Sequence, residues 1–266
     1  MKITKFKVCY YDQTSADLTL PFPGQGYGGW KKAELDFDLD TTAVIVMHAI
    51  DYGAPEKYPG MYRSCEYMPR SHEIDRVVFP PLLSAIRKNG LKVIHVGYQG
   101  PMYVDHENYV NDGVECNYPY LQAGETTRAI HQFKYDYNFP GKQNHDDRAR
   151  SCENLDFLPN ARPVPGEPIV INTNQLFNLC QREGIDHLLY IGYCVDACIQ
   201  AAPCGMVDMM RRGLLCTIIR EATTAVENKE TCEHQLTKER ALTGIGLIFT
   251  LDDFLDGLKI KNNIKR

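Results

Sequence analysis

Five short runs of apolar residues recur along the chain, and each is continuous in apolar character instead of alternating with polar residues. They are TTAVIVMHA (41–49), LKVIHVGY (91–98), EPIVIN (167–172), HLLYIGY (187–193) and LLCTIIRE (214–221). A strand that buries both faces shows this pattern, and strands of that kind occur in parallel sheets covered by helices. The segments between them, SHEIDRVVFPPLLSAIRKNG (71–90), TNQLFNLCQREG (173–184) and DACIQAAPCGMVDMMRRG (196–213), each close on basic residues followed by a glycine that can take a left-handed C-cap. The alternation predicts an α/β fold, a three-layer α/β/α sandwich around a mostly parallel, Rossmann-like sheet. The stretch 230–258 predicts a closing helix, a short strand around Ile248 and a last helix.

Two regions break the alternation. Residues 1–40 carry the Pro/Gly-rich LPFPGQGYGGW and are expected to be an N-terminal extension, leaving 41–266 as the main domain. Residues 99–166 form a long insertion in which GETTRAIHQFKYDY (124–137) is the one helical stretch. Insertions of that length in a compact domain serve as lids or subunit contacts more often than as inert connectors.

A net charge of −5 leaves no basic surplus to neutralise phosphates, so nucleic acid is not an expected partner and a small-molecule substrate is. No stretch approaches the length of a membrane span, and the lysines near the start precede no apolar export segment, so the expected location is the cytoplasm, with no membrane contact. The ten cysteines are then expected to be reduced. Cys194, Cys198 and Cys204 include no C-x-x-C pair, so neither a zinc site nor another cofactor is expected.

In an open parallel sheet, ligands bind beyond the carboxyl ends of the strands, and that rule ranks the cysteines. GYCVDACIQAAPCG (192–205) leaves a strand, turns and enters a helix. Asp196 is the expected N-cap and Cys198 falls in the first helical turn, where the helix dipole lowers a thiol pKa. Backbone amides of the same turn can hold an oxyanion. Cys194 is a conceivable resolving thiol for redox chemistry, whereas Cys204, after the helix-distorting Pro203, reads as packing.

Around these residues the chain resembles the isochorismatase-like cysteine hydrolases, which include nicotinamidases and N-carbamoylsarcosine amidases. Their turn has the form G-V-A-T-[DN]-x-C-V, and Gly192, Tyr193, Cys194, Val195, Asp196, Ala197, Cys198 and Ile199 match that frame with Cys198 on the nucleophile. The resemblance covers about 41–98 and 155–258. It implies an Asp–Lys–Cys triad, an oxyanion turn with a non-proline cis peptide near Cys194 and Val195, and a homo-oligomer, commonly a dimer or tetramer.

Two of the triad positions depart from the pattern. The aspartate that ends the first strand is replaced by His48, and Asp51 lies three residues on. The lysine after the third strand is missing, with Asn172 at the start of that loop. An imidazole can deprotonate a thiol directly, so the expected activity is hydrolysis of a small amide or related acyl or imine-type substrate by Cys198, with His48 as base. The alternatives are a catalytically degenerate member that binds a small molecule or protein partner, and a thiol redox protein. Lys134 in the insertion is a candidate substitute cation, while Asp105, His106, Glu107, His145, Asp146 and Asp147 read as solvated charges and His95 as a packed strand residue.

Overall fold

The computed structural model describes residues 2–98, 103, 105–112, 121–153 and 155–263; the parts of the insertion at 99–102, 104, 113–120 and 154 lie outside the described residues. Among the described residues ten strands form, in chain order: β1 Ile3–Asp12, β2 Gly29–Asp38, β3 Thr42–Met47, β4 Ile50–Asp51, β5 Lys92–Val96, β6 Asp156–Phe157, β7 Ile169–Val170, β8 His187–Gly192, β9 Leu215–Thr223 and β10 Leu247–Phe249. Eight of them make one sheet in the order β2-β1-β10-β9-β8-β3-β5-β7. From β10 to β7 every pairing is parallel, and β1 and β2 add an antiparallel hairpin at one edge. β4 and β6 pair separately. The expected three-layer α/β/α architecture is the one observed.

The layering follows from the period of two along a strand. Ala43, Ile45 and Met47 of β3 enter one core with Leu176, Leu179, Met206, Met209 and Leu242. Val44 and Val46 enter the other with Phe79, Leu82, Leu83 and Ile86 of the helix α3, Phe79–Lys88. Both faces of the sheet are therefore dry, and full burial of each such side chain stabilises the fold by about 1.5–3 kcal/mol.

The segment expected as an N-terminal extension supplies β1 and β2. Phe6 and Val8 of β1 face the core while Lys5 and Lys7 face water, an alternation visible in the sequence and suited to an antiparallel edge. Phe6 stacks on Phe254 at 5.4 Å between ring centroids, and a Cβ at Gly257 would meet its ring at 2.3 Å.

Helical stops fall where the glycines predict them. The helix Thr173–Glu183 ends on Gly184 at φ +66° and starts on a capping box, with Asn172 accepting from the Gln175 N–H at 2.9 Å. The 71–90 stretch divides into two helices, α2 Met68–Val77 and α3, joined at Val78. The helix after Cys198 is one turn, Cys198–Ala201; Pro203 and Cys204 (φ +68°) break it before Met206–Arg211 begins. The expected kink is thus a complete interruption, because Pro203 offers no amide and would clash with the preceding turn. Within the insertion, Glu125–Tyr137 and His145–Cys152 are helical. The second docks on α1, Pro59–Ser64, where the Gly60 N–H donates to Asp147 Oδ2 at 2.7 Å and Arg63 Nε to Asn144 Oδ1 at 3.0 Å.

Candidate active site

β3 is flanked by β5 on one side and β8 on the other, all parallel. The residues that follow these three strands therefore emerge at one edge: His48 after β3, Tyr98 after β5 and the Tyr193–Cys198 turn after β8. That convergence is the structural basis of the site.

The turn requires Gly192. Its φ is +104°, and a Cβ there would lie 2.1 Å from the Met47 carbonyl oxygen. Tyr193 N–H donates to that same oxygen at 2.9 Å, and the Tyr193–Cys194 peptide is cis. The cis bond thus involves Cys194, beside the Cys194 and Val195 near which the resemblance implied it. Val195 N–H is occupied, donating to Thr224 O at 2.8 Å, so of the two expected oxyanion residues only Cys194 aims its amide at the Cys198 sulfur. Asp196 is not the N-cap. Ala197 holds that position without a side-chain bond, and Asp196 Oδ1 instead accepts from Val226 N–H at 2.9 Å, clamping the turn to the segment after β9.

Cys198 is partly buried, and its company is aromatic. Tyr52 donates a hydrogen bond to Tyr98, and Tyr98 donates to Cys198. Tyr67, Cys65 and Cys194 complete the group of rings and thiols whose charges would act on one another. Burial pushes the Cys198 thiol above its ordinary value, against the smaller downward pull of the Tyr98 hydroxyl and the Cys194 amide. The sequence predicts the opposite, a dipole-lowered thiol. A one-turn helix has little dipole to offer, and taking a thiolate out of water outweighs it. One cation does reach a thiol of this group, since Arg148 Nη1 donates to Cys65 Sγ at 3.1 Å.

His48 does not bond to the thiol. Its ring stacks on Tyr98, centroids 4.0 Å apart, so the tyrosine occupies the position expected of the histidine. The side chain is buried and burial pulls its pKa down to about 4, partly opposed by a hydrogen bond to the Gly97 backbone. Nδ1 is buried without a partner, and the backbone sits at φ +45°, outside the usual range for a side chain other than glycine. Such a conformation costs about 1–3 kcal/mol and persists only where its surroundings impose it.

The other candidates lie elsewhere. Asp51, the last residue of β4, accepts from the Gly53 N–H at 2.8 Å in the turn that follows. Asn172 caps a helix whose Gln175 side chain is held by Tyr109 and Val110, which leaves no loop for a lysine. Lys134 is exposed on a helix with no buried residue. His145 packs on Tyr135, and Asp147 holds α1. His95 is fully buried and pairs with Glu167 at 2.8 Å, which Arg87 also grips at 2.7 Å. Cys194 is buried, raised by burial, and sits 3.6 Å from Thr224 Oγ1. Cys204 is buried packing. Among the described residues no group of three or more His, Cys, Asp or Glu side chains is placed to hold a metal, and all nine described cysteines are free. Tyr52, Tyr67 and Tyr98 were not singled out from sequence. Tyr98 alone carried a signal, since it follows a parallel strand as the Cys198 turn does.

Several solved structures are similar to this chain. A cysteine hydrolase from Pseudomonas syringae pv. phaseolicola is 11% identical, with 85% of this chain and 95% of that one covered and a TM-score of 0.48. An isochorismatase-like hydrolase from Alkaliphilus metalliredigens is 16% identical over 83% and 98%, TM-score 0.44. An isochorismatase family protein from Desulfovibrio vulgaris is 17% identical over 82% and 98%, TM-score 0.43. No family model and no curated protein matches the chain.

Proposed function

We propose that the chain is a small-molecule-binding protein on the isochorismatase-like fold, in which Cys198 is kept as a neutral thiol and hydrolysis has been lost. The observation that carries this is the identity of the sulfur's partners, a tyrosine hydroxyl and a backbone amide in place of a base and a cation. A nucleophilic cysteine needs its thiolate. Burial holds the Cys198 thiol above its ordinary value and pulls the His48 imidazole down to about 4, so proton transfer from the one to the other runs uphill.

The surrounding Tyr52, Tyr67, Tyr98 and His48 offer ring faces and hydroxyls and, at neutral pH, no charge. They suit a neutral planar amide or N-heterocycle, stacked on rings and hydrogen-bonded at its edge. The free thiols, six of them buried, fit a reducing compartment, and we place the protein in the cytoplasm.

A hydrolytic function has one observation in its favour: His48 Nδ1 is buried and unpartnered just after β3. Displacement of Tyr98 by substrate would then let the imidazole take the thiol proton while the sulfur attacks a carbonyl. Benzamide, nicotinamide and pyrazinamide, assayed by thermal shift and for ammonia release, separate the two functions. Binding predicts stabilisation of the wild type, loss of that shift in Tyr98→Ala, and no ammonia. Ammonia release that disappears in Cys198→Ala would overturn the binding proposal.

A further inference from the structure

The helix His145–Cys152 of the insertion brings a guanidinium to the thiols around Cys198. Asn144, just before it, and Asp147 within it dock on α1 by accepting from Arg63 Nε and from the Gly60 N–H. That docking sets the next residue, Arg148, against the same helix. Its Nη1 donates to Cys65 Sγ at 3.1 Å, to Ser64 Oγ at 3.3 Å and to Met61 Sδ at 3.5 Å, and the guanidinium lies 4.8 Å from the centre of the Phe139 ring. Among the described residues Arg148 has no carboxylate partner.

A half-buried guanidinium without a counter-charge is a costly arrangement. A thioether and a serine hydroxyl stay neutral, so of the groups Nη1 reaches only Cys65 can become an anion. Hydrogen bonds to an ionised acceptor are roughly twice as strong as those to a neutral one, so Arg148 holds a Cys65 thiolate more firmly than the thiol. The thiolate is the form of cysteine that attacks electrophiles. Cys65 also shares the surroundings of Cys198. It is buried in one apolar cluster with Tyr52, against which Tyr67 and Tyr98 pack, and Tyr98 bonds to the Cys198 sulfur. Both cysteines are free, and Cys198 is the less buried thiol of its turn, Cys194 being set against Thr224.

We propose that Cys65 and Cys198 form a redox pair oxidised by hydroperoxides, Cys65 reacting first and Cys198 resolving it. This function stands apart from the binding proposed above and needs no ligand in the pocket. The Cys65 thiolate attacks the terminal oxygen of a hydroperoxide ROOH. The O–O bond breaks as the S–O bond forms, the sulfur gives up two electrons, and the departing alkoxide recovers the proton that Cys65 lost on ionising, leaving as ROH. The Cys198 sulfur then attacks the Cys65 sulfur. An S–S bond replaces the S–O bond, and the departing hydroxide takes the Cys198 proton to leave as water. The sum is two thiols and ROOH giving one disulfide, ROH and water. Cys198 can act here as a protonated thiol, since its own proton completes the leaving group.

One equivalent of hydrogen peroxide on the full reduced chain at pH 7, without ligand, followed by non-reducing peptide mass spectrometry, tests this. Wild type is expected to lose two thiols and give a Cys65–Cys198 disulfide within one chain. In that same sample Cys65 should be oxidised at least about tenfold faster than the exposed Cys152 and Cys232, a comparison that needs no variant to fold. Cys198→Ser should stop at the sulfenic acid of Cys65, trapped by dimedone. Arg148→Met should slow the oxidation at least about tenfold with unchanged circular dichroism, and Arg148→Lys, which keeps the charge, should slow it less. Oxidation of Cys152 or Cys232 ahead of Cys65, dimedone on Cys198 in place of Cys65, a disulfide from Cys65 to Cys194, or a rate indifferent to Arg148→Met would overturn the proposal.

Discussion

Loss of the Tyr98 hydroxyl, by Tyr98→Phe, tests the account of the thiol most directly. The ring that stacks on His48 at 4.0 Å remains, and the hydrogen bond donated to Cys198 goes. Burial raises the wild-type thiol above its ordinary value, which favours its protonated form at pH 7, so Cys198 should react slowly there. Hydrogen bonds to charged groups contribute about 1.5–3 kcal/mol, and at 1.36 kcal/mol per unit their loss moves the thiol up by about one to two units more. Iodoacetamide labelling followed by peptide-resolved mass spectrometry separates Cys198 from the exposed Cys152 and Cys232. Its rate should rise with pH to a midpoint above 9.0 in the wild type and should fall about ten- to hundredfold at pH 8 in the variant. The midpoint, unlike the plateau, does not depend on reagent access. A wild-type midpoint below 8, or one that Tyr98→Phe leaves in place, would refute the reasoning.

Acid stability follows from the buried histidines. Burial pulls His48 and His187 to about 4 in the folded state from an ordinary 6.5, so the unfolded chain takes up protons first and stability is lost as pH falls from 6.5 towards 4. Each site should cost about 2 kcal/mol by pH 5, read as a lower urea midpoint than at pH 7; a midpoint unchanged over that interval would contradict both burials. Two glycines should part company under alanine substitution. Gly192→Ala, with its Cβ 2.1 Å from a backbone oxygen, should lose more than about 4 kcal/mol or fail to fold. Gly213→Ala, at φ +92° with open space around it, should lose about 1–2 kcal/mol in denaturant titration.

Local signals determined the layers. The uninterrupted apolar runs mark strands buried on both faces; β3, β5, β7 and β8 fall within them, and β9 begins in its run and continues two residues past it to Thr223. Basic residues before a glycine mark the helix ends, and Gly184 and Gly213 both have positive φ. The turn after Gly192 singles out Cys198 because strand, glycine and helix follow one another along the chain. The hairpin β1–β2 was also legible, in the alternation of Phe6 and Val8 with Lys5 and Lys7, but at the scale of one segment beside a Pro/Gly-rich stretch that reads as an extension.

Tertiary structure alone decided the chemistry of the site. Whether a thiol ionises depends on the water it loses and the dipoles it gains, and Cys198 loses its water to burial and gains the dipoles of the Tyr98 hydroxyl and the Cys194 amide, which stand on two separate segments. His48 stands where the strand pattern puts it, yet Tyr98, emerging from the neighbouring strand, lies between its ring and a role as base. Periodicity is a property of neighbours along the chain and so survives in the sequence. Desolvation is a property of neighbours in space, and it exists only once the strands are side by side.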